Sequence, residues 1–440
     1  MKRVIQLLRL HVTNFMLQHM RFIKEHKIKI LLWFFIGAYI LYFSYFSILR
    51  YRTLYASYYD LGIMNQTVYN TYRSIVEKKP SKFLELTDPA SGTQIKRMAI
   101  HNDLLLATIA LLYFIYAGPE TLLVLQAVVL GLGALAVFKI ASYVFEKQRN
   151  KAILALIFSV SYLLYPPLER ANIFDFHAVT LATTFLLWMV YLWMRKSYVW
   201  SFIFFLLSLL SKEQVGLTTA LFGVYALIHL KSQISKNKRN IFFSTLVIVV
   251  SVLWVVLSFL VIIPYFRGGN HFAVSRYGDF GDSPIRILIG ILSNPYSIFR
   301  YILNYNTFNY LVLLLGPLGF VSLLSPIQLA ISIPEYAVNL FSNTWGMRSI
   351  IYHYTAVITP FVFLSAIYGV NKILNYKLNF SKYVSLLVVF FTLFYTYFNG
   401  PLPYMKGQEV HPYKYPQPSM KEITIWAKTL RDPTLKIAVT

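Results

Sequence analysis

Long apolar runs recur along almost the whole chain, and they constrain its fold more than any other feature. Hydrophobic residues make up 57% of the 440 residues and charged residues only 13%, whereas soluble chains carry roughly 25% charged residues. Water cannot accommodate so much apolar surface, so a lipid bilayer is the expected solvent. The pattern predicts an all-α polytopic membrane protein with about eleven transmembrane helices, at residues 28–49, 121–145, 152–165, 179–194, 199–210, 215–230, 241–263, 308–324, 327–341, 351–370 and 383–398.

The basic residues predict how these helices are oriented. A net charge of +24 would indicate nucleic acid as the partner of a soluble protein, but here Lys and Arg form short clusters between apolar runs, which is the pattern of topology determinants. We therefore expect a multi-pass protein of the cell membrane and no nucleic-acid partner. The clusters share one side only if residues 101–117 do not cross, which places the N-terminus in the cytoplasm and the C-terminus outside.

This topology divides the chain into three parts. Residues 1–27 are predicted to form a cytoplasmic basic amphipathic segment, residues 28–399 the transmembrane domain, and residues 400–440 a short extracytoplasmic tail. Two polar segments, 50–118 and 265–306, become external loops. Helical patterns within them, from about Tyr55 to Thr71 and from Pro284 to Asn304, predict interfacial helices. The oligomeric state has no signature in the sequence.

Two acidic positions are candidates for catalysis because they fall on the predicted external face. Asp60 lies in the first external loop, and Asp175 lies two residues before His177 in the next. Either carboxylate is suited to activate an acceptor hydroxyl as a general base. The structural alternative is that Asp60 and Asp175 cap helices. Aspartate with histidine two residues apart also suits Mn or Zn, whereas carboxylates alone suit Mg.

Further polar residues fall on the same predicted face. Lys212 is a candidate phosphate ligand, although a salt bridge between Lys212 and Glu213 at a tight turn is the alternative. Arg348 is predicted to grip a phosphate or, alternatively, to anchor its helix at the lipid headgroups. The complete candidate set for substrate or phosphate binding is Gln66, His101, Lys212, Glu213, Arg348 and His353, and that for a divalent cation is Asp60, Asp103, Asp175 and His177. The chain has no cysteine, which excludes thiolate ligands and disulfides.

Several short motifs together resemble an uncharacterised membrane family, domain of unknown function 2079, from about Leu41 to Tyr415. They are, in order, Tyr59-Asp60-Leu61-Gly62, Asn65-Gln66, Asn70-Thr71, His101, Phe174-Asp175-Phe176-His177, Lys212-Glu213, His353-Tyr354, Pro360 and Tyr368-Gly369. A weaker, architectural resemblance is to the GT-C glycosyltransferase superfamily, since Asp60 and Asp175 match its acidic positions in two external loops. That resemblance implies a GT-C-like fold and a sugar donor linked to polyprenyl phosphate.

Three functions follow from these observations. The leading hypothesis is a polyprenyl-phosphate-dependent glycosyltransferase on the extracytoplasmic face. The first rival is a transporter or flippase for a lipid-linked or anionic substrate, whose site would lie near the membrane midplane. The second rival is a membrane scaffold, which leaves the clustered Asp, His and Arg residues unexplained.

Overall fold

The structure of the protein is a computed structural model. It describes residues 2–407 except 54, 57, 89, 230–237 and 377–379, and beyond them only Glu422, Ile425 and Thr429; side chains of residues 2–25 and of Tyr58 are not described. Most of the predicted tail therefore lies outside the described residues. The described chain is mostly helical, with one antiparallel two-stranded sheet that pairs β1 (Glu85–Thr87) with β2 (Gln94–Lys96). The all-α class is confirmed.

The helices alternate between long apolar rods and short segments. The first nine are α1 (Lys2–Arg52), α2 (Tyr58–Val76), α3 (Leu105–Ile109), α4 (Pro119–Val144), α5 (Lys151–Leu163), α6 (Pro166–Phe174), α7 (Ala178–Met194), α8 (Tyr198–Leu209) and α9 (Val215–His229). The later ones are α10 (Lys238–Leu257), α11 (Ile263–Arg267), α12 (Pro284–Ser293), α13 (Pro295–Ile302), α14 (Tyr305–Leu315), α15 (Pro326–Ala330), α16 (Ile333–Leu340), α17 (Thr359–Tyr376) and α18 (Ser381–Asn399).

Four stretches of the described chain are long and apolar enough to cross a membrane: His26–Arg52, Pro119–Val144, Lys238–Arg267 and Ser381–Asn399. The bent pair α5–α6 is a fifth if it counts as one span. Other predicted spans are helical but short, such as α7 and α8. A crossing needs about 20 residues, so by length and composition the described chain supports a multi-span membrane protein with four to five clear spans.

Two of the predicted spans are interrupted rather than continuous. The apolar run 308–324 begins within α14, which ends at Leu315, just before Gly316-Pro317; Gly319 and Phe320 then adopt the left-handed conformation. The run 327–341 is divided between α15 and α16. Proline lacks the N–H that an internal helical position donates, so it occupies first turns and breaks longer helices.

The hydrophobic core is centred on α4, which packs against α1, α5 and α7. Close packing is possible because small residues face these helices. A Cβ on Gly131 would lie 2.6 Å from Ile40 Cγ1, and one on Gly133 would lie 2.3 Å from the Tyr162 hydroxyl. Small residues at such contacts let helix backbones approach closely, as is common between membrane helices.

The two predicted external loops contain the expected helices. In the first, α2 confirms the helical pattern around Asp60, and α3 continues into a 3₁₀ segment, Ala110–Phe114. In the second, α12 and α13 have no buried residues. Between α10 and α11 lies a π-helical turn, Ser258–Ile262, a geometry that is frequent at functional sites.

Candidate functional site

A polar cavity of about 280 Å³ lies where α2, the α6–α7 turn and the α8–α9 turn meet. Six of the predicted residues line it: Asp60, His101, Asp103, His177, Lys212 and His353. Arg267 and Arg276 of the second long loop complete the wall. These side chains come from segments far apart in the sequence, so tertiary packing assembles the cavity. We call it the polar cavity.

Asp60 is a partly exposed carboxylate that lies next to a buried histidine, His177. It lies in the first turn of α2, inside the helix, so it is not the residue that caps it. Its Oδ1 is 3.8 Å from His177 Nε2, and 35% of its side chain is exposed. Burial would raise the pKa of Asp60, but His177, Arg97 and Lys212 outweigh it and hold that pKa below the usual value. Asp60 is therefore ionised at neutral pH.

His177 stands at the start of α7 and stacks on His353, with ring centroids 3.8 Å apart. Gln126 of α4 fixes the turn, because its Oε1 accepts the His177 N–H at 3.1 Å and its Nε2 donates to the Asp175 carbonyl at 3.0 Å. Within the described part of the chain, the Nδ1 atoms of both stacked histidines are buried and lack a hydrogen-bond partner. Both histidines line the polar cavity, so their rings are placed to contact a ligand there.

Asp175 is placed differently from Asp60. Its carboxylate is 3.1 Å from Arg50 Nη1, at the end of α1, and the Asp175 side chain is 1% exposed. Asp175 is not among the described residues that line the polar cavity. It does not cap α7 either, since that helix begins after His177. The ion pair instead ties the α6–α7 turn to α1, which positions His177.

Asp103 is likewise held by an arginine. Arg97 Nη2 donates to Asp103 Oδ2 at 2.8 Å and Arg97 Nε to Oδ1 at 2.9 Å, and both side chains are nearly inaccessible. The predicted cation set of Asp60, Asp103, Asp175 and His177 is therefore not brought together as four free ligands. Asp60 and His177 are adjacent, whereas the carboxylates of Asp103 and Asp175 each bind a guanidinium.

Glu213 forms no ion pair with Lys212; it accepts three hydrogen bonds from elsewhere. Its Oε1 lies 2.7 Å from His101 Nδ1 and 3.2 Å from His271 Nε2, and its Oε2 accepts the Asn102 N–H at 2.9 Å. Burial alone would raise the pKa of Glu213, but its contacts with His101 and His271 keep that pKa well below the usual value. The carboxylate thus stays charged and orients both imidazoles.

His101, Glu213 and His271 also place three potential metal-ligand atoms within 4.8 Å of one another. The hydrogen bonds argue against that use. His271 Nδ1 accepts the Ala273 N–H at 2.9 Å, so the proton of a neutral ring must lie on Nε2, where it is donated to Glu213. A metal would need the Nε2 lone pair. In this arrangement Glu213 is a carboxylate held by three donors, from His101, His271 and the Asn102 N–H.

An apolar groove of about 530 Å³ adjoins the polar cavity. Its wall includes the π-helical turn, through Phe259 and Leu260, and the inner side of α12, through Ile287 and Ile291. Four residues line both spaces: His101, Lys212, Arg276 and Tyr354. Asn102 donates to Ser258 Oγ at 2.8 Å, which fixes the π-helical turn to this shared wall. We call these four residues the junction.

Besides Asp175, two predicted residues lie outside both spaces, Gln66 and Arg348. Gln66 donates to Thr87 Oγ1 at 2.9 Å and accepts the Thr87 N–H at 3.0 Å, and so it joins α2 to β1. Arg348 lines a separate pocket. Conversely, sequence reasoning missed Arg276 and His271. The available signal was the group of basic side chains, Arg267, His271 and Arg276, within one predicted external loop.

Comparisons with known proteins agree with the membrane character of the chain. Comparison with curated proteins gives no significant match. The family model described as "Predicted membrane protein (DUF2079)" matches residues 50–430, which includes α2, both long loops and every residue of the polar cavity and the groove. The resemblance seen in the motifs is thus confirmed over most of the chain, and the protein belongs to the DUF2079 family of predicted membrane proteins.

Proposed function

We propose that this protein is a membrane glycosyltransferase with a GT-C-like arrangement of about eleven spans, which uses a polyprenyl-phosphate-linked sugar. In this proposal it acts on the extracytoplasmic face of the cell membrane. The observation that carries the proposal is the junction, where a charged cavity and an apolar groove share a wall containing Lys212 and Arg276. A ligand that occupies both spaces must have a hydrophobic part and an anionic or polar part.

The groove suits the hydrocarbon of the carrier. Its lining is mostly aliphatic, and residues on its rim are exposed on the outer surface of the helices, including Val256 (43%), Leu260 (48%) and Leu288 (59%). In a bilayer such surfaces face lipid. The phosphate would then lie at the junction near Lys212 and Arg276, and the sugar would extend into the polar cavity toward Asp60.

Asp60 has the properties of the base in this reaction. It is ionised, accessible and adjacent to His177. The acceptor O–H would give its proton to the Asp60 carboxylate while the acceptor oxygen bonds to the sugar carbon that carries the phosphate. The bond from that carbon to the phosphate oxygen breaks, and the phosphate leaves with the electron pair. Cations at the junction stabilise the charge that develops on it.

Asp175 supports this site as a positioning residue, through Arg50 and the turn that carries His177. A divalent cation remains part of the proposal at Asp60 and His177, whose oxygen and nitrogen donors suit Mn or Zn. The protein supplies two adjacent ligands there, so the remaining ligands would have to come from substrate or water. Mg would need more carboxylate oxygen than this pair offers.

The test is transfer of label from a radiolabelled polyprenyl-phosphate sugar in membranes that contain the full chain. We expect Asp60→Asn to abolish transfer and to leave donor retention unchanged. Asp282→Asn is the matched control, because Asp282 is 72% exposed and lines neither space. Equal labelling by wild type and Asp60→Asn would refute the catalytic role of Asp60. If wild type moved the donor across the vesicle membrane but transferred no sugar, this would instead establish the flippase alternative. The same transfer assay with a chelator present tests whether the reaction needs the divalent cation.

A further inference from the structure

A second polar pocket, of about 360 Å³, lies away from the polar cavity and shares no lining residue with it. It is bounded by the middle of α6, by α14, by the 3₁₀ segment Trp345–Arg348 and by the end of α18 with the chain that follows it. Arg348, which the sequence predicted as a phosphate ligand, is one of its walls. We call it the basic pocket.

The charge of the basic pocket is one-sided. Its lining contains Arg170, Arg348 and Lys406, and no carboxylate of the described chain is part of the lining. Arg348 and Lys406 form no ion pair with any carboxylate in the described ranges. They rest instead on aromatic faces, Arg348 at 5.9 Å from the Tyr301 ring and Lys406 at 5.0 Å from the Phe398 ring. Cations held in this way remain available to an anion.

The third cation is built into the wall. Arg170 is only 6% exposed, and its guanidinium donates to the carbonyl oxygens of Asn399 and Gly407, the latter at 2.7 Å. These bonds hold a positive charge at a fixed place beside the pocket. Asn306, Asn309 and Ser349 add neutral donors to the lining. Arginine and amide donors together match the oxygens of a phosphate group.

Aromatic side chains locate this pocket at the edge of the membrane. Trp345 lines it and is 62% exposed, and Tyr305 and Phe308 of the adjoining α14 are 79% and 66% exposed. Exposed Trp and Tyr are enriched at the level of the lipid headgroups, and basic pockets between membrane helices bind anionic headgroups. We propose that the basic pocket binds a phosphate ester anion, as carried by an acidic phospholipid or by a soluble phosphate ester.

The experiment is native mass spectrometry of the full-length protein in neutral detergent, with phosphatidylglycerol or phosphatidylcholine added. We expect wild type to retain phosphatidylglycerol preferentially. Retention should fall about fivefold for each charge removed in Arg348→Gln and Lys406→Gln, the effect of one basic residue near an anionic surface. Arg348→Lys, which keeps the charge, should lose less. Neither side chain is buried, so these variants are expected to fold.

Arg300→Gln is the matched control, since Arg300 is exposed and lines none of the polar cavity, the groove and the basic pocket. Competition by glycerol phosphate would identify a soluble phosphate ester as the ligand, and absence of competition would identify the lipid headgroup; both support the site. Equal retention of the two lipids by wild type would overturn the proposal. So would a loss in Arg300→Gln as large as that in the Arg348 and Lys406 variants.

Discussion

Replacing Asp103 with asparagine tests whether this carboxylate has a structural role or binds a cation. In the structure Asp103 accepts three hydrogen bonds from Arg97, at 2.8, 2.9 and 3.0 Å. The two side chains are 3% and 4% exposed. Asp103→Asn removes the negative charge and leaves the buried guanidinium of Arg97 without its counterion.

Breaking a buried ion pair by removing one partner costs about 3–5 kcal/mol in the free energy of unfolding. The asparagine carbonyl still accepts one hydrogen bond, so we expect a value near 3 kcal/mol, at the lower end of that range. Replacing both partners by apolar residues of similar size is often neutral or stabilising. The double variant Arg97→Met/Asp103→Leu should therefore recover most of the stability lost in Asp103→Asn.

The assay is unfolding of the purified full chain in detergent, followed by tryptophan fluorescence with and without a chelator. The control is Asp282→Asn, because the Asp282–Arg286 pair is more than 70% exposed on both sides and such pairs contribute less than about 1 kcal/mol. A loss below about 1 kcal/mol for Asp103→Asn would refute the structural role. A chelator that destabilises wild type and abolishes its difference from Asp103→Asn would show that Asp103 binds a cation instead.

Two further predictions follow from the site and the groove. Burial lowers the pKa of His101 well below its usual value, although Glu213 opposes this. Below about pH 6.5 the unfolded chain therefore binds a proton that the folded chain does not, so lowering the pH through this range reduces the free energy of unfolding by up to about 1.4 kcal/mol per pH unit. The free energy of unfolding, measured by urea denaturation from pH 5 to 8, should depend less steeply on pH in His101→Gln than in wild type. An identical pH dependence of the two proteins would contradict this. A Cβ on Gly290 would lie 2.0 Å from the Phe280 carbonyl oxygen, so Gly290→Ala should displace α12 and accelerate proteolysis of the 265–306 loop. The control is Gly269→Ala, because a Cβ on Gly269 would have open space around it. Equal cleavage of the two variants would contradict the prediction.

The sequence predicted which polar residues lie at the same end of the helices better than it predicted their lateral positions at that end. Charge bias and apolar runs fix depth along the membrane normal. They therefore grouped Asp60, His177, Lys212 and His353, which do line one cavity. Lateral position depends on how helices pack, which no local pattern encodes. Arg348 was accordingly predicted with the same group but lines a different pocket.

The partners of the charged residues were also beyond local reasoning. Asp175 is paired with Arg50, 125 positions away, and Glu213 is bonded to His101 and His271, 112 and 58 positions away. Long-range contacts of this kind appear only once the chain is folded. Helix breaks were easier to predict, because the helix-breaking residues at or beside the interruptions can be read directly from the sequence. They are Gly316-Pro317, Pro326 and Pro334.

The apolar groove beside the junction determines how the concentration of a hydrophobic ligand should be expressed for this protein. A hydrophobic ligand that enters from the bilayer is distributed over the membrane surface, so its effective concentration is its mole fraction among the lipids. Occupancy should then follow the ratio of ligand to lipid and not the volume of the sample. Detergent tails are also hydrocarbon and compete for the same groove, which is lined by Leu260, Ile287 and Ile291. Affinities measured in micelles will therefore be weaker than those measured in lipid discs of defined composition.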